Sequence, residues 1–341
     1  MSAPCASAQR KAHSVLPTAV GPVRRWSTGG ADTAFYRWQA APRSSKAKPA
    51  LKTCFIANPR SGHTAPRLPE LTRHVRNLGA ELRLTEHPGH ARALAAAAVQ
   101  DGCATVVAVG GDGTVNEVAG ALAGTGATLG ILPAGSGNGL ARHLGVHGSW
   151  PRALDILAAG HTRPLDAGRA DGHPFFAVAG LGFEALLAER FNRARRRGLA
   201  AYALIVLRSL RAGQPLPVRI HAAGKTWNLP VLTLAVANAS QYGGGARIAP
   251  RARTDDGRLD LCALPPLRPG NTLNLTWRLL TGQIERAPGV LCLQGAEFLV
   301  ERPGKGPLQT DGEVHPAGAA VRFTVTPEAL RVLCPPERNR R

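Results

Sequence analysis

Residues 104–118, ATVVAVGGDGTVNEV, constrain the fold more than any other part of the chain. A short, continuously apolar strand runs into Gly110-Gly111-Asp112-Gly113-Thr114, and a helix begins at once. A strand that is apolar on both faces belongs in a parallel sheet covered by helices. In such a sheet a strand-to-helix loop lies at the carboxyl edge, where ligands bind. Glycines let backbone N–H groups approach phosphate oxygens, and the helix N-terminus adds positive potential. Thr114 and Glu117 have the T-x-x-E spacing of a capping box, so Glu117 is expected to cap its own helix. Asp112 has no such simple role. A carboxylate in a phosphate-cradling loop repels phosphate unless a cation or a substrate hydroxyl lies between them.

The neighbouring sequence repeats the pattern. Residues 51–58 read as a buried strand ending at Asn58-Pro59-Arg60-Ser61-Gly62, followed by a helix over 68–78. Residues 81–86 alternate like a strand, and 91–100 are Ala-rich and helical by propensity. A strand over 127–132, a PAGSGNG loop, a short helix over 139–144 and a helix over 151–159 with Pro151 in its first turn complete the unit. From about residue 165 short strands with Gly/Pro turns take over, interrupted by one helical segment over 183–211. The expected architecture is an α/β nucleotide-binding domain over 51–165 and a mostly antiparallel β-sandwich or half-barrel over 166–325.

Other loops carry chemistry. Pro133-Ala134-Gly135-Ser136-Gly137-Asn138-Gly139 again joins a strand to a helix, and Arg60 in the first loop is suited to pairing with phosphate. No G-x-x-x-x-G-K-[ST] sequence is present, which excludes a P-loop enzyme. About 200 residues later, Thr310-Asp311-Gly312-Glu313 places two carboxylates around a glycine. An acidic turn is the plain reading. Beside a phosphate site the same turn offers a general base for phosphoryl transfer to an alcohol. His143 and His147, and His87 and His90, are paired in sequence, with no third zinc ligand evident.

Charge and composition narrow the classes further. The net charge of +20 favours anionic partners such as nucleotides, nucleic acid or anionic lipid headgroups. Three Tyr, five Trp and eight Phe are few for a base-stacking protein, so no nucleic-acid partner is expected. The apolar share of 44% excludes a wholly disordered chain, and no apolar run approaches the ~20 residues of a bilayer span. Six scattered cysteines imply a reducing compartment without a disulfide frame. Residues 1–50, with eight basic residues and the single acid Asp32, are expected to be a disordered extension, either a targeting peptide or an overlong start. Arg190, Arg193, Arg195, Arg196 and Arg197 close a helix read over GFEALLAERFNRARRRG, residues 182–198. They either complement the helix dipole or contact anionic lipid.

Taken in order, NPRSG, GGDGTVNEV, LPAGSGNGLARHLG, YGGGARIAPRARTDDGRLDL and TDGE resemble the diacylglycerol-kinase catalytic-domain family of lipid kinases, which includes the sphingosine kinases. The resemblance covers about residues 51–335. GGDGT by itself is shared with NAD kinases and 6-phosphofructokinases, so a soluble NAD kinase-like enzyme is a rival reading. The resemblance implies a returning segment, about 326–341, that rejoins the first domain. It implies ATP as co-substrate, surrounded by Asn58, Ser61, Thr85, Gly110, Gly111, Asp112, Gly113, Thr114, Val115, Asn116 and Ser136. Asp112 would lie beside the phosphates and Mg2+, and Glu313 would accept the lipid hydroxyl proton. A second cation site would use Asp256 and the backbone oxygens of Arg253 and Arg258, although Asp255-Asp256-Gly257 is equally an ordinary turn. Many bacterial members carry Asp where this chain has Gly139. That Asp joins a magnesium network with the loop Asp and a later one, here Asp166. A primary hydroxyl of diacylglycerol or a similar lipid is the expected acceptor, with a sphingosine-type long-chain base as the alternative. Leu186, Leu187, Tyr202, Leu204, Ile205, Leu207 and Leu210 are candidate lipid-access residues, and Glu184 falls near a headgroup acid of sphingosine kinases. The expected location is cytoplasmic, peripheral to the inner membrane face, and a homodimer is an expected assembly.

Overall fold

The structure, a computed structural model, describes residues 52–62, 64–193, 215–242, 246–268 and 270–336. Strand β1 (Thr53–Ala57) is followed by helix α1 (Thr64–Asn77), β2 (Glu81–Leu84), α2 (His90–Gln100), β3 (Thr105–Gly110), α3 (Asp112–Leu122) and β4 (Thr128–Pro133). The four strands are parallel, in the order β2-β1-β3-β4. Every residue of β3 and β4 after the first is buried, so both sheet faces are covered. Val106, Val109, Leu129 and Ile131 form one core with Leu71 and Val75 of α1, Ala95 and Ala98 of α2, and Val118 and Leu122 of α3. Short α4 (Gly139–His143) and α5 (Trp150–Ala159) follow. Pro151 occupies the first turn of α5, and Gly160 ends it at φ 70°, a left-handed position without strain for glycine.

The second half begins with β5 (Thr162–Ala170), β6 (His173–Phe175), β7 (Val178–Gly182) and α6 (Phe183–Arg193). Then come β8 (Leu216–Ala222), β9 (Lys225–Val231), β10 (Thr233–Ala237), β11 (Leu259–Leu264), α7 (Thr272–Thr281), β12 (Leu291–Gly295), β13 (Glu297–Glu301), β14 (Gly306–Thr310), β15 (Glu313–Ala317) and β16 (Ala320–Leu333). Six of these strands make an antiparallel sheet in the order β12-β11-β10-β7-β14-β15. Leu181, Leu234, Val236, Leu259 and Leu261 on its inner face meet Val218, Ile220, Phe298, Val300 and Phe323 of the other sheet, forming the sandwich core. Two sequence runs that read as single strands are divided between the sheets. Residues 225–237 break at Leu232 into β9 and β10, and 291–301 break at Ala296 into β12 and β13.

The other sheet has ten strands and spans both lobes. Its central element is β16. Ala320 to Thr324 pair with β13, while Arg331 and Val332 pair in parallel with β4. Strand β5 runs beside β16 from Phe323↔Ala170 to Leu333↔Thr162, with a register shift between Thr326 and Leu330. The expected boundaries at 165/166 and 325/326 therefore fall inside two paired strands. Helix α7 was not anticipated: threonines at 272, 276 and 281 and Trp277 weaken the helical signal. The expected helix over 183–211 is described as far as Arg193. Arg195 to Arg197, Tyr202, Leu204, Ile205, Leu207, Leu210 and residues 1–50 lie outside the described residues.

Candidate active site

Three loops meet at the carboxyl edge of β1, β3 and β4. Asn58 holds the first through Nδ2–H to Thr114 Oγ1 (3.3 Å), and its Oδ1 accepts from the Arg60 N–H (2.9 Å). A β-carbon on Gly62, at φ 46°, would lie 1.9 Å from the Ala134 carbonyl oxygen. A β-carbon on Gly135 would lie 2.6 Å from Gly111 Cα. Glycine is required here because backbones touch, as the sequence pattern implied. Thr85, after β2, reaches the same edge by donating its N–H to the Ala57 carbonyl (2.9 Å). Thr114, Val115 and Asn116 are buried in the first turns of α3, and Asn116 Oδ1 has no partner among the described residues. Ser136 and Gly113 are exposed.

Asp112 ties the second loop to the first. Its Oδ2 accepts from the Asn138 N–H (2.8 Å) and its Oδ1 from the Gly139 N–H (2.7 Å). Burial nevertheless raises its pKa above the ordinary aspartate value, outweighing those bonds. A cation beside it would relieve that penalty, and each oxygen keeps a lone pair for one. Asn138 sits at φ 52° and clamps Gly135 through both ends of its amide. Gly139 cannot be replaced at no cost, because a β-carbon there would lie 2.5 Å from the Tyr242 carbonyl oxygen. The departure from Asp at this position thus has a steric counterpart in the second lobe.

Glu117 does not cap its own helix. Its Oε1 accepts from the Gly89 N–H (3.0 Å), and its Oε2 accepts from Ala91 (2.9 Å) and Arg92 (3.3 Å) at the start of α2. Helices α2 and α3 pack together, so the carboxylate reaches a neighbouring helix N-terminus, which favours negative charge equally well.

The Thr310–Glu313 turn comes to this edge from the second lobe. Asp311, at φ 49°, accepts three backbone N–H groups, from Phe176 (2.7 Å), Ala177 (2.9 Å) and Val178 (2.9 Å). Burial still pushes its pKa up to about 6, aided by the charge of Asp112 across the cleft. Glu313 differs: it is half-buried, and its carboxylate has no hydrogen-bond partner among the described residues. Burial first, then the nearby Glu117 carboxylate, raise its pKa, while Arg92 and His173 oppose them. Two residues on, His315 Nε2 bonds Thr310 Oγ1 (2.8 Å) and its ring stacks on His173 (centroids 3.9 Å apart).

A chain of contacts behind this turn returns to the nucleotide loops. The Gly312 N–H donates to Gln309 Oε1 (2.8 Å), and Gln309 Nε2 donates to Glu184 Oε1 and to the Val178 carbonyl (3.3 Å). Tyr242 Oη donates to Glu184 Oε2 (3.0 Å), and the Tyr242 carbonyl covers Gly139. Burial raises the Glu184 pKa well above the ordinary glutamate value. Tyr242 opens the YGGGARIAP stretch and Gln309 directly precedes TDGE, yet nothing local to either sequence assigns it a role, which comes only from the shared contact with Glu184.

Asp166, expected in a magnesium network, has a structural role in the fold. It is buried, and its two oxygens accept from Gly257 N–H (2.7 Å) and Glu328 N–H (2.7 Å), pinning the 254–257 turn to the irregular part of β16. Asp256 is exposed, with Oδ1 on the Arg258 N–H (3.1 Å) and Oδ2 on Gln294 Nε2 (3.4 Å). Among the described residues no three His, Cys, Asp or Glu side chains are grouped to hold a metal. His143 fastens α4 to the second lobe, its Nδ1 accepting from the Ser240 N–H (3.1 Å).

This pairing of a glycine-lined α/β edge with an acidic turn from a β-sandwich is the arrangement of a phosphotransferase with two substrates. Residues 52–170 match the family described as diacylglycerol kinase catalytic domain, and 177–334 match the YegS C-terminal NAD kinase beta sandwich-like domain. The diacylglycerol kinase of Mycobacterium tuberculosis is 35% identical over 253 residues, covering 72% of this chain and 81% of that protein. A Pseudomonas aeruginosa protein named "Probable lipid kinase YegS-like" is 36% identical over 267 residues, covering 76% and 87%. A crystal structure from Bacillus anthracis str. Sterne, provisionally named a diacylglycerol kinase, shares the fold with a TM-score of 0.72 at 21% identity, covering 86% of this chain and 99% of that one. The chain belongs to the diacylglycerol kinase-like family and is a lipid kinase.

Proposed function

We propose that this lipid kinase transfers the γ-phosphate of ATP to a primary hydroxyl of diacylglycerol, with Glu313 as the proton acceptor. The single observation carrying this reading is the state of Glu313. It is a half-buried carboxylate without hydrogen bonds among the described residues, close enough to Glu117 of α3 and Arg92 of α2 to feel their charges, and raised in pKa first by burial. A general base needs a free lone pair and a pKa nearer the working pH, and burial supplies the second. Asp311 and Gln309 hold the turn that presents it. The triphosphate would lie on the N-terminus of α3 and the loops at 58–62 and 134–139, among Asn58, Ser61, Thr85, Gly110 to Asn116 and Ser136. Asp112 is suited to hold Mg2+, which supplies neutralisation of phosphate charge when bound. A second cation at Asp256 with the Arg253 and Arg258 carbonyls remains part of this proposal. Among the described residues no helix is long and apolar enough to cross a membrane, and the reading places the protein peripherally at the inner membrane face.

The test is a radiolabelled-ATP screen against extracted membrane lipids, with diacylglycerol, a long-chain base and NAD as single acceptors. Wild type is expected to label diacylglycerol, and Glu313→Gln to label nothing. Label on NAD or on the long-chain base, with none on diacylglycerol, overturns the acceptor assignment.

A further inference from the structure

Five large apolar side chains are exposed among the described residues, and three of them share one helix. They are Leu273, Trp277 and Leu280 of α7, at 84%, 54% and 61% exposure. Their spacing of four and three residues puts them within an arc of ~60° at ~100° per residue. Leu275, the buried residue of α7, lies about half a turn away. With Ile284 it packs among Ala235, Ala237, Cys262 and Leu264 on the outer face of the six-stranded sheet. The helix is thus anchored by one side and displays an apolar stripe on the opposite side.

The surroundings of the stripe are basic. Arg268 precedes the helix, its N–H on Asn271 Oδ1 (2.7 Å), and Arg278 lies on its flank, Nε donating to Asn274 Oδ1 (2.8 Å). Arg247 lies against Gly282 at its C-terminus, its N–H on the Leu279 carbonyl (3.0 Å), and Arg286 follows on the next turn. The nearby acid, Glu285, is paired with Arg251 (3.0 Å). We infer that α7 is a docking element for an anionic lipid bilayer, entering the headgroup layer with Leu273, Trp277 and Leu280 while Arg247, Arg268, Arg278 and Arg286 meet lipid phosphates. Apolar side chains bordered by arginine, with tryptophan at the boundary, match that layer's change from hydrocarbon to charge. A second copy of the chain is the poorer occupant. In a two-fold contact the stripe meets itself, and the arginine rims face each other. The inference deepens the lipid-kinase reading and gives that enzyme its route to substrate.

The experiment compares full-length wild type with the triple variant L273S/W277S/L280S and with R268Q/R278Q. Leu275 is retained, so thermal unfolding should be unchanged. Co-flotation is measured with phosphatidylcholine vesicles, with and without phosphatidylglycerol. Wild type should bind only the anionic vesicles. The triple variant should bind them on the order of a hundredfold more weakly, and the double arginine variant about tenfold or more. Binding by the triple variant equal to wild type overturns the proposal, and so does a change in its oligomeric state without loss of binding. Turnover of a short-chain diacylglycerol free in solution is measured in parallel and should be equal in all three proteins. Absence of that turnover in wild type would count against the kinase assignment and leave the vesicle result to judge α7 separately.

Discussion

Gly62 illustrates how much of the site is decided by single atoms. One added methyl would overlap the Ala134 carbonyl at 1.9 Å, so Gly62→Ala must displace one of the two loops. Its ATP affinity should fall by about tenfold or more, measured by calorimetry, with the fold retained. Glu313→Gln should behave oppositely: ATP binding nearly intact and turnover lower by about 10²–10⁴-fold. The active form of Glu313 is the carboxylate, so rate is lost as pH falls through its pKa. Because that pKa is raised, the acid limb of the kcat/KM profile should lie above the ordinary glutamate range. Asp112 and Glu313 were legible as residues because a carboxylate in a phosphate loop and an acidic turn are both chemically conspicuous. The division of labour in Thr310–Glu313 was not. Which acid is tied down depends on the N–H groups of Phe176 to Val178, more than 130 positions away.

At the scale of elements, Glu117 is the informative error. Its spacing to Thr114 is right for a cap within one helix, yet packing brings the N-terminus of α2 within reach. Glu117→Gln should destabilise the protein by about 1–2 kcal/mol in denaturant titrations, since a charge-assisted acceptor at a helix start is lost. It should also shift the acid limb of the activity profile to lower pH, because a negative neighbour of Glu313 disappears. A cap that mattered only for folding would leave that profile in place. Strands β1, β3 and β4 of the first lobe were legible from unbroken apolar runs, and the edge strand β2 from its alternation. Helix α7 and the strand breaks at Leu232 and Ala296 were not, because they depend on which sheet each half can pair with rather than on local preference.

Over the whole molecule, half-buried Glu184 connects the two halves of the site. It holds Gln309 behind the Glu313 turn and Tyr242 above Gly139. Glu184→Gln presents an amide N–H₂ to either Gln309 Nε2 or Tyr242 Oη, and one donor then loses its acceptor. The expected result is a kcat about tenfold lower with KM for ATP little changed. Equal loss in both would assign Glu184 to nucleotide binding instead. Strand β16 has a wider consequence. It is hydrogen-bonded to β4 at one end and to β13 at the other, with β5 alongside throughout. A shared spine of this kind resists a clamshell opening, and the place where it can bend most easily is the interrupted ladder between Thr326 and Leu330, beside the turn that Asp166 pins. Relative motion of the two lobes is therefore expected to be a wringing of one sheet about that stretch.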